Sequence, residues 1–267
     1  PSRDYARTKA MLLGEPALGQ GKVHLRRGQL LASTDPAAAV AAYARALACG
    51  GVTTEAIGAL QQLLSVPAAR QAAAQALEAI HRERKETRPL AEMIEVQLEA
   101  SQAAPEQFRR LTELAELWER ASEPRVALGA RLRAFALSSG EEKVRAELAR
   151  LATTLHAEDE LLAAYEDKLD RGLEPNPAAL WRRLAELHDA QGHRQPAIDA
   201  CEKAAQLAPA DLVLLRAYAG RCRAQKDLPR LAKVLQRQVE ATAEPARQLE
   251  LLVELARLAE DELKDPV

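Results

Sequence analysis

The chain has 267 residues, of which 48% are hydrophobic, only 3% aromatic and 28% charged, and its formal net charge is −2. That balance excludes a strongly basic nucleic-acid binder and a protein drawn electrostatically to anionic membranes, and no apolar run approaches the roughly 20 residues that span a bilayer. So few aromatics among so many apolar residues point to helices packed through Ala and Leu, not to sheets.

Apolar residues three and four apart predict about fifteen amphipathic helices, at 2–13, 22–33, 36–49, 53–64, 67–84, 88–102, 105–121, 124–138, 141–155, 158–171, 177–190, 194–207, 211–225, 228–241 and 245–262. Eight prolines, Pro36, Pro67, Pro89, Pro105, Pro124, Pro196, Pro229 and Pro245, fall at or just before a predicted first turn, where a missing N–H costs nothing. At the start, Glu15–Gly21 reads as a weak stretch behind an isolated first helix, so residues 1–21 are expected to be irregular. Residues 22–104 read as divergent repeats, in which the Ala-rich helix from Pro67 to Arg84 adds a third element between hairpins. Residues 105–262 are the regular part, interrupted by the longer connection Arg171–Pro177, which carries the chain's one asparagine, Asn176. At the end, Asp265-Pro266 mirrors Asp35-Pro36, so 263–267 read as the truncated start of a further helix, and the whole as one solenoid excised from a longer repeat protein.

The repeat is visible in three phrases, LAEL at Leu114–Leu117, LAEL at Leu184–Leu187 and LARL at Leu255–Leu258, which recur about 70 residues apart. Leu114-Ala115, Trp118, Ala127 and Ala134 return as Leu184-Ala185, His188, Ala197 and Ala204. Between them, Leu148-Ala149 matches Tyr218-Ala219 and Tyr165 matches Leu235; nearer the start, Leu25, Gly28 and Leu31 precede Ala39, Tyr43 and Ala46. Small residues at these positions bring helix backbones close while Trp118 and Trp181 are expected to fill the grooves between them.

The unit Trp181, Leu184-Ala185, His188, Gly192, Ala197, Cys201, Ala204 and Pro209 resembles the tetratricopeptide repeat (TPR), a 34-residue helix-turn-helix. Ala185, His188 and Cys201 stand where the family pattern has glycine, tyrosine and phenylalanine. The wording, rich in Ala and in Arg over Lys, is similar to very long TPR scaffold proteins of myxobacteria. The resemblance implies an all-α, α-solenoid fold of stacked antiparallel hairpins in a right-handed superhelix. It also implies a concave groove lined by the first helix of each hairpin.

Carried over residue by residue, that groove would present Glu116 and Glu119, then Lys143 and Arg150, then Arg182, Glu186 and Asp189, then Arg216 and Arg223, and finally Glu250, Arg257 and Glu260. The central partner-binding candidates are Lys143, Arg150, Arg182, Glu186, Asp189, Arg216 and Arg223. They form a basic middle suited to a segment carrying carboxylates, against the plainer reading of charges that keep a helix face solvated. The family's clamp for a chaperone tail uses asparagines in the groove, and the sole Asn here lies in a loop.

Chemistry-bearing motifs are missing: no Gly-rich strand-to-helix loop, no HExxH, no G-x-S-x-G and no phosphate loop occurs. His188 and His193 lie near a turn and are five apart, off a common helix face. Cys201 and Cys222 sit at inward positions and read as small hydrophobes instead of a redox pair. No catalytic residue, metal or cofactor is expected. The function expected is a protein-binding scaffold in a reducing, bacterial cytoplasm, or else a regulatory or sensor segment of a larger multidomain protein. Its partner would be a peptide, helix or folded domain, with a polar or motility complex as the narrower suggestion of the resemblance and pairing of terminal helices between copies as a further one; nucleic acid and membrane insertion are not expected.

Overall fold

The computed structural model describes residues 17–100, 103–137 and 142–264. Fourteen helices occupy them: α1 Ala17–Leu31, α2 Pro36–Cys49, α3 Thr53–Leu63, α4 Pro67–Glu83, α5 Thr87–Leu98, α6 Ala104–Arg120, α7 Pro124–Leu137, α8 Glu142–Leu155, α9 Glu158–Asp170, α10 Pro177–Ala190, α11 Arg194–Leu207, α12 Leu212–Gln225, α13 Leu228–Ala241 and α14 Pro245–Lys264. No strand occurs among the described residues. The fold is all-α, a repeat of helical hairpins, and it divides into two compact units, residues 1–137 and 138–267.

The helices begin and end for local reasons. Asp35, Asn176, Asp211 and Asp227 cap α2, α10, α12 and α13 by accepting backbone N–H groups of the first turn, at 3.0 Å from Ala38 and 3.1 Å from Arg230, for example. Prolines stand in the first turn of α2, α4, α6, α10 and α13. Five of the other ends share one device. Lys85, Ser122, His156, Gly192 and Lys226, just after α4, α6, α8, α10 and α12, all have a left-handed φ between 52° and 77°. Beyond each, an N–H reaches back five residues: Glu86 to His81, Glu123 to Trp118, Ala157 to Ala152, His193 to His188 and Asp227 to Cys222, at 2.8–3.0 Å. These are Schellman closures, recurring roughly every 35 residues at the first helices of hairpins; α9, a second helix, ends alike, with Gly172 at φ 64° and the Leu173 N–H reaching Lys168 at 3.4 Å.

Within the hairpins the small residues lie where the spacing predicts. Ala115, Ala127, Ala134, Ala185, Ala197, Ala204 and Ala219 are all fully buried, so each lets a neighbouring helix approach to backbone distance. Leu114, Leu148, Leu184, Tyr165 and Leu235 fill the spaces beside them.

The N-terminal stretch departs from expectation. The predicted helix 2–13 lies outside the described residues, but α1 already starts at Ala17 and runs through Gly19 and Gly21. These glycines do not break the helix, because Gly21 is a contact point: a Cβ there would stand 2.5 Å from the carbonyl oxygen of Gly50. Gly28 behaves alike, since its Cβ would sit 2.4 Å from the Tyr43 ring. At the other end Leu263 and Lys264 continue α14 instead of opening a new helix, and 265–267 lie outside the described residues.

Three helices, α3, α4 and α5, lie between the pair α1/α2 and the pair α6/α7. One consequence is that α2 packs against α4, and α1 against α3. The second helix of the first sequence repeat thus joins the row of helices that open later hairpins.

Candidate functional site

In the second unit the first helices α8, α10, α12 and α14 form a row held together by charge. Glu142 of α8 accepts from Arg183 of α10 at 3.3 Å, Asp189 of α10 from Arg221 of α12 at 2.6 Å, and Glu254 of α14 from Arg223 of α12 at 2.9 Å and 3.0 Å. The second helices do the same, with Arg230 of α13 reaching Asp199 and Glu202 of α11 at 2.9 and 3.3 Å. The first unit repeats the arrangement: Arg110 and Arg82 tie α6 and α4 through Glu78 and Glu113, and Arg133 ties α7 to Glu95 of α5. Glu78 is the buried centre of its cluster. Burial alone would raise its carboxyl, but hydrogen bonds from Arg82, Gln97 and Arg110 overcome that and hold it below the usual range.

The predicted groove residues divide against this framework. Asp189 and Arg223 are ties between helices, Glu186 pairs with Arg183 at 3.2 Å, and Arg150 pairs with Glu147 at 2.8 Å on its own helix. Glu119 meets Arg131 at 3.4 Å, Glu116 meets Arg120 at 3.8 Å, and Glu250 pairs with Arg247. Lys143, Arg182 and Arg216 have no ion pair among the described residues; Lys143 and Arg216 are exposed, and Arg182 is half-buried with its Nε enclosed and unpartnered. Arg182 and Arg216 hold the same place in successive repeats, two residues before Leu184 and Tyr218. Arg257 and Glu260 are exposed on α14, beside the uncovered Leu249, Leu252 and Val253.

Apart from Glu186, the residues of one charged cavity were not among the sequence candidates. A cavity of about 330 Å³ between α8, α9 and α10 has a floor of Ala146, Ala149, Leu161, Tyr165 and Leu187 and a rim of Glu142, Arg145, Arg183 and Glu186. Arg145 donates to Glu142 at 2.8 Å and to the buried Glu174 at 3.4 Å. Burial pushes the Tyr165 hydroxyl up to about 12, so it stays protonated. The signal that could have found this rim is the 41-residue register of Glu142 and Arg183, which no helix-face count reveals.

Cys201 and Cys222 are buried free thiols pushed up to about 11 chiefly by burial, and Cys49 is a half-buried free thiol. His188 is buried, its ring 5.9 Å from that of His193, and burial lowers its pKa. No cluster of three or more metal-ligating side chains occurs among the described residues, and no described helix is long and apolar enough to cross a membrane. Trp118 is buried, as expected, but Trp181 is only half-buried, with Lys203 Nζ 4.1 Å above its ring. The physical reason is position: Trp181 stands at the edge of the α10 apolar stripe, whose centre is held by Leu184 and Ala185.

A helix closed by a left-handed residue, a second helix packed on it through Ala at fixed positions, and recurrence about every 35 residues are the attributes of one hairpin class. The hairpins resemble the tetratricopeptide repeat in fold. No protein-family model matches the chain, and no curated protein matches it in sequence. Solved structures similar to it include MamA, at 14% identity and a TM-score of 0.39, covering 66% of this chain and 94% of that one. PilF of Pseudomonas aeruginosa is 17% identical with a TM-score of 0.38, over 72% and 85% of the two chains. YrrB, described as a TPR protein with an unusual peptide-binding site, is 17% identical with a TM-score of 0.32, over 73% and 90%. A hairpin repeat hosts many functions, so the partner has to be read from this chain's own side chains.

Proposed function

We propose that this protein is a non-enzymatic scaffold that binds a protein partner across the α8–α10–α12 row, with Lys143, Arg150, Arg182, Glu186, Asp189, Arg216 and Arg223 as the contact set. The observation that carries the reading is the division of charge along that row. Asp189 and Arg223 hold helix to helix, whereas Arg182 and Arg216, equivalent in consecutive repeats, have no carboxylate partner among the described residues. Guanidinium groups on a preformed face suit a partner segment bearing carboxylates at about the spacing of adjacent row helices. Three free cysteines fit a reducing cytoplasm.

The test is affinity capture from lysate with the wild-type chain and with Arg182→Glu/Arg216→Glu, both verified as helical by circular dichroism. An Arg247→Glu variant, altered elsewhere on the surface, serves as the control. A protein retained by wild type and control and lost by the double variant supports the row as the binding face. Equal retention by all three moves the binding face elsewhere.

A further inference from the structure

A second cavity lies on the opposite side of α10 from the Glu142–Arg183 rim, among α9, α10 and α11. It measures about 320 Å³ and is lined by Glu166, Asp170, Trp181, Leu184, His188, Pro196, Asp199, Ala200 and Lys203. Its chemistry is one-sided. Three carboxylates face one ammonium, and that ammonium, Lys203 Nζ, stands 4.1 Å from the centre of the Trp181 ring.

The three carboxylates are not equally engaged. Asp199 is tied to Arg230 at 2.9 Å. Glu166 has only the His188 Nε2 at 4.0 Å, and Asp170 has no ion pair among the described residues. His188 is nine-tenths buried in the wall, and its Nδ1 is enclosed without a hydrogen-bond partner. Burial disfavours its protonation and outweighs the opposing pull of the nearby Glu166 carboxylate. An aromatic face beside Glu166, held only by His188 at 4.0 Å, and Asp170, without an ion pair among the described residues, with apolar Leu184, Pro196 and Ala200 to cover an alkyl stem, is the environment in which an ammonium or guanidinium gains most over water.

We infer that this cavity is a binding site for a cationic side chain, lysine or arginine, presented by a protein partner on the face of α10 away from Arg182 and Arg216. Lys203 is its built-in occupant: a flexible, exposed side chain of the same chemistry rests on the ring the ligand would use. A partner cation displaces it, and Glu166 and Asp170 take the incoming charge. The site is independent of the arginine row, so the two stand or fall separately.

The experiment uses the intact chain. It holds two tryptophans, so its 15N-labelled indoles give two signals, assigned with Trp181→Phe. Titrations use capped single-residue probes: Nα-acetyl-arginine methylamide and Nα-acetyl-lysine methylamide, with Nα-acetyl-norleucine methylamide as the uncharged match and Nα-acetyl-glutamate methylamide as the opposite charge. The expected result is a saturable shift of the Trp181 indole with the two cations only. Lys203→Met should tighten it about two- to fivefold, the range of an exposed cation–π contact, and Glu166→Gln/Asp170→Asn should weaken it by at least as much. Equal shifts with norleucine, or cation binding untouched by both variants, would overturn the proposal. A folded Lys203→Met chain with no cation-dependent shift at Trp181 would do so as well.

Discussion

Arg223 and Glu254 grip each other from α12 to α14 through two parallel hydrogen bonds, Nε to Oε1 at 2.9 Å and Nη2 to Oε2 at 3.0 Å. Such a fork fixes direction as well as distance. On α14 it matters more than elsewhere, because Leu251 is the one large apolar residue of that helix buried among its described side chains. Arg223→Ala should therefore lower stability by up to about 1 kcal/mol and speed amide exchange in α14. Arg216→Ala, which breaks no pair, should stay within about 0.5 kcal/mol. Urea unfolding and hydrogen exchange check this, and equal losses would mean that the fork holds nothing.

Glycine gives a contrast of opposite signs. Gly28→Ala drives a methyl into the Tyr43 ring, which is itself buried, and should cost about 1–3 kcal/mol by overpacking. Gly220→Ala, inside α12 with nothing within 4 Å of the new Cβ, should raise stability by roughly 0.5–1 kcal/mol. Thermal or urea denaturation of the two variants side by side decides both.

Acid should act through Glu78. Its carboxyl is held below the ordinary 4.5 in the folded chain, so the stability it contributes is complete above that value and is lost as pH falls through the lower, folded one. Glu78→Gln should flatten the acid side of a stability profile recorded from pH 7 to pH 3. It should also lower stability at pH 7, because Arg110, mostly buried beside it, loses a charged partner. An unchanged acid limb would show that other carboxylates control it.

Thiol chemistry should be ordered by burial. Cys201 and Cys222, both fully enclosed and pushed up to about 11, offer little thiolate at pH 8. Iodoacetamide on the native chain should label Cys49 first, and the other two only when urea opens the hairpins. Mass spectrometry of timed samples reads the order; early labelling of Cys201 would contradict the packing.

Much of this molecule is legible in its sequence because its packing is local. Ala185, Ala197 and Ala204 are small for a reason that a 34-residue window contains, and α10, α11 and α13 run over the very residues that apolar spacing and proline positions indicate. Charge is legible only as far as the single helix. Asp189 and Arg221, or Glu142 and Arg183, look like free surface residues until the hairpin between them is folded and brings them within 2.6 Å and 3.3 Å. Helix-face reasoning thus chose Arg182 and passed over its neighbour Arg183, which faces α8 and the cavity rim. The glycines of α1 misled in the same way: Gly21 reads as a breaker from its own segment and as a contact only once Gly50 lies against it.

The three helices between α1/α2 and α6/α7 make the single helix, not the hairpin, the exchangeable module of the first unit. An odd insertion swaps the two edges of the stack: α2, with Arg45 as its sole charge, stands in the line that α4 and α6 continue with Glu78, Arg82, Arg110 and Glu113. A designer who excised α3 with one of its turns would not merely shorten this unit. The excision would turn the nearly uncharged α2 to the other edge and leave α4 first in its line.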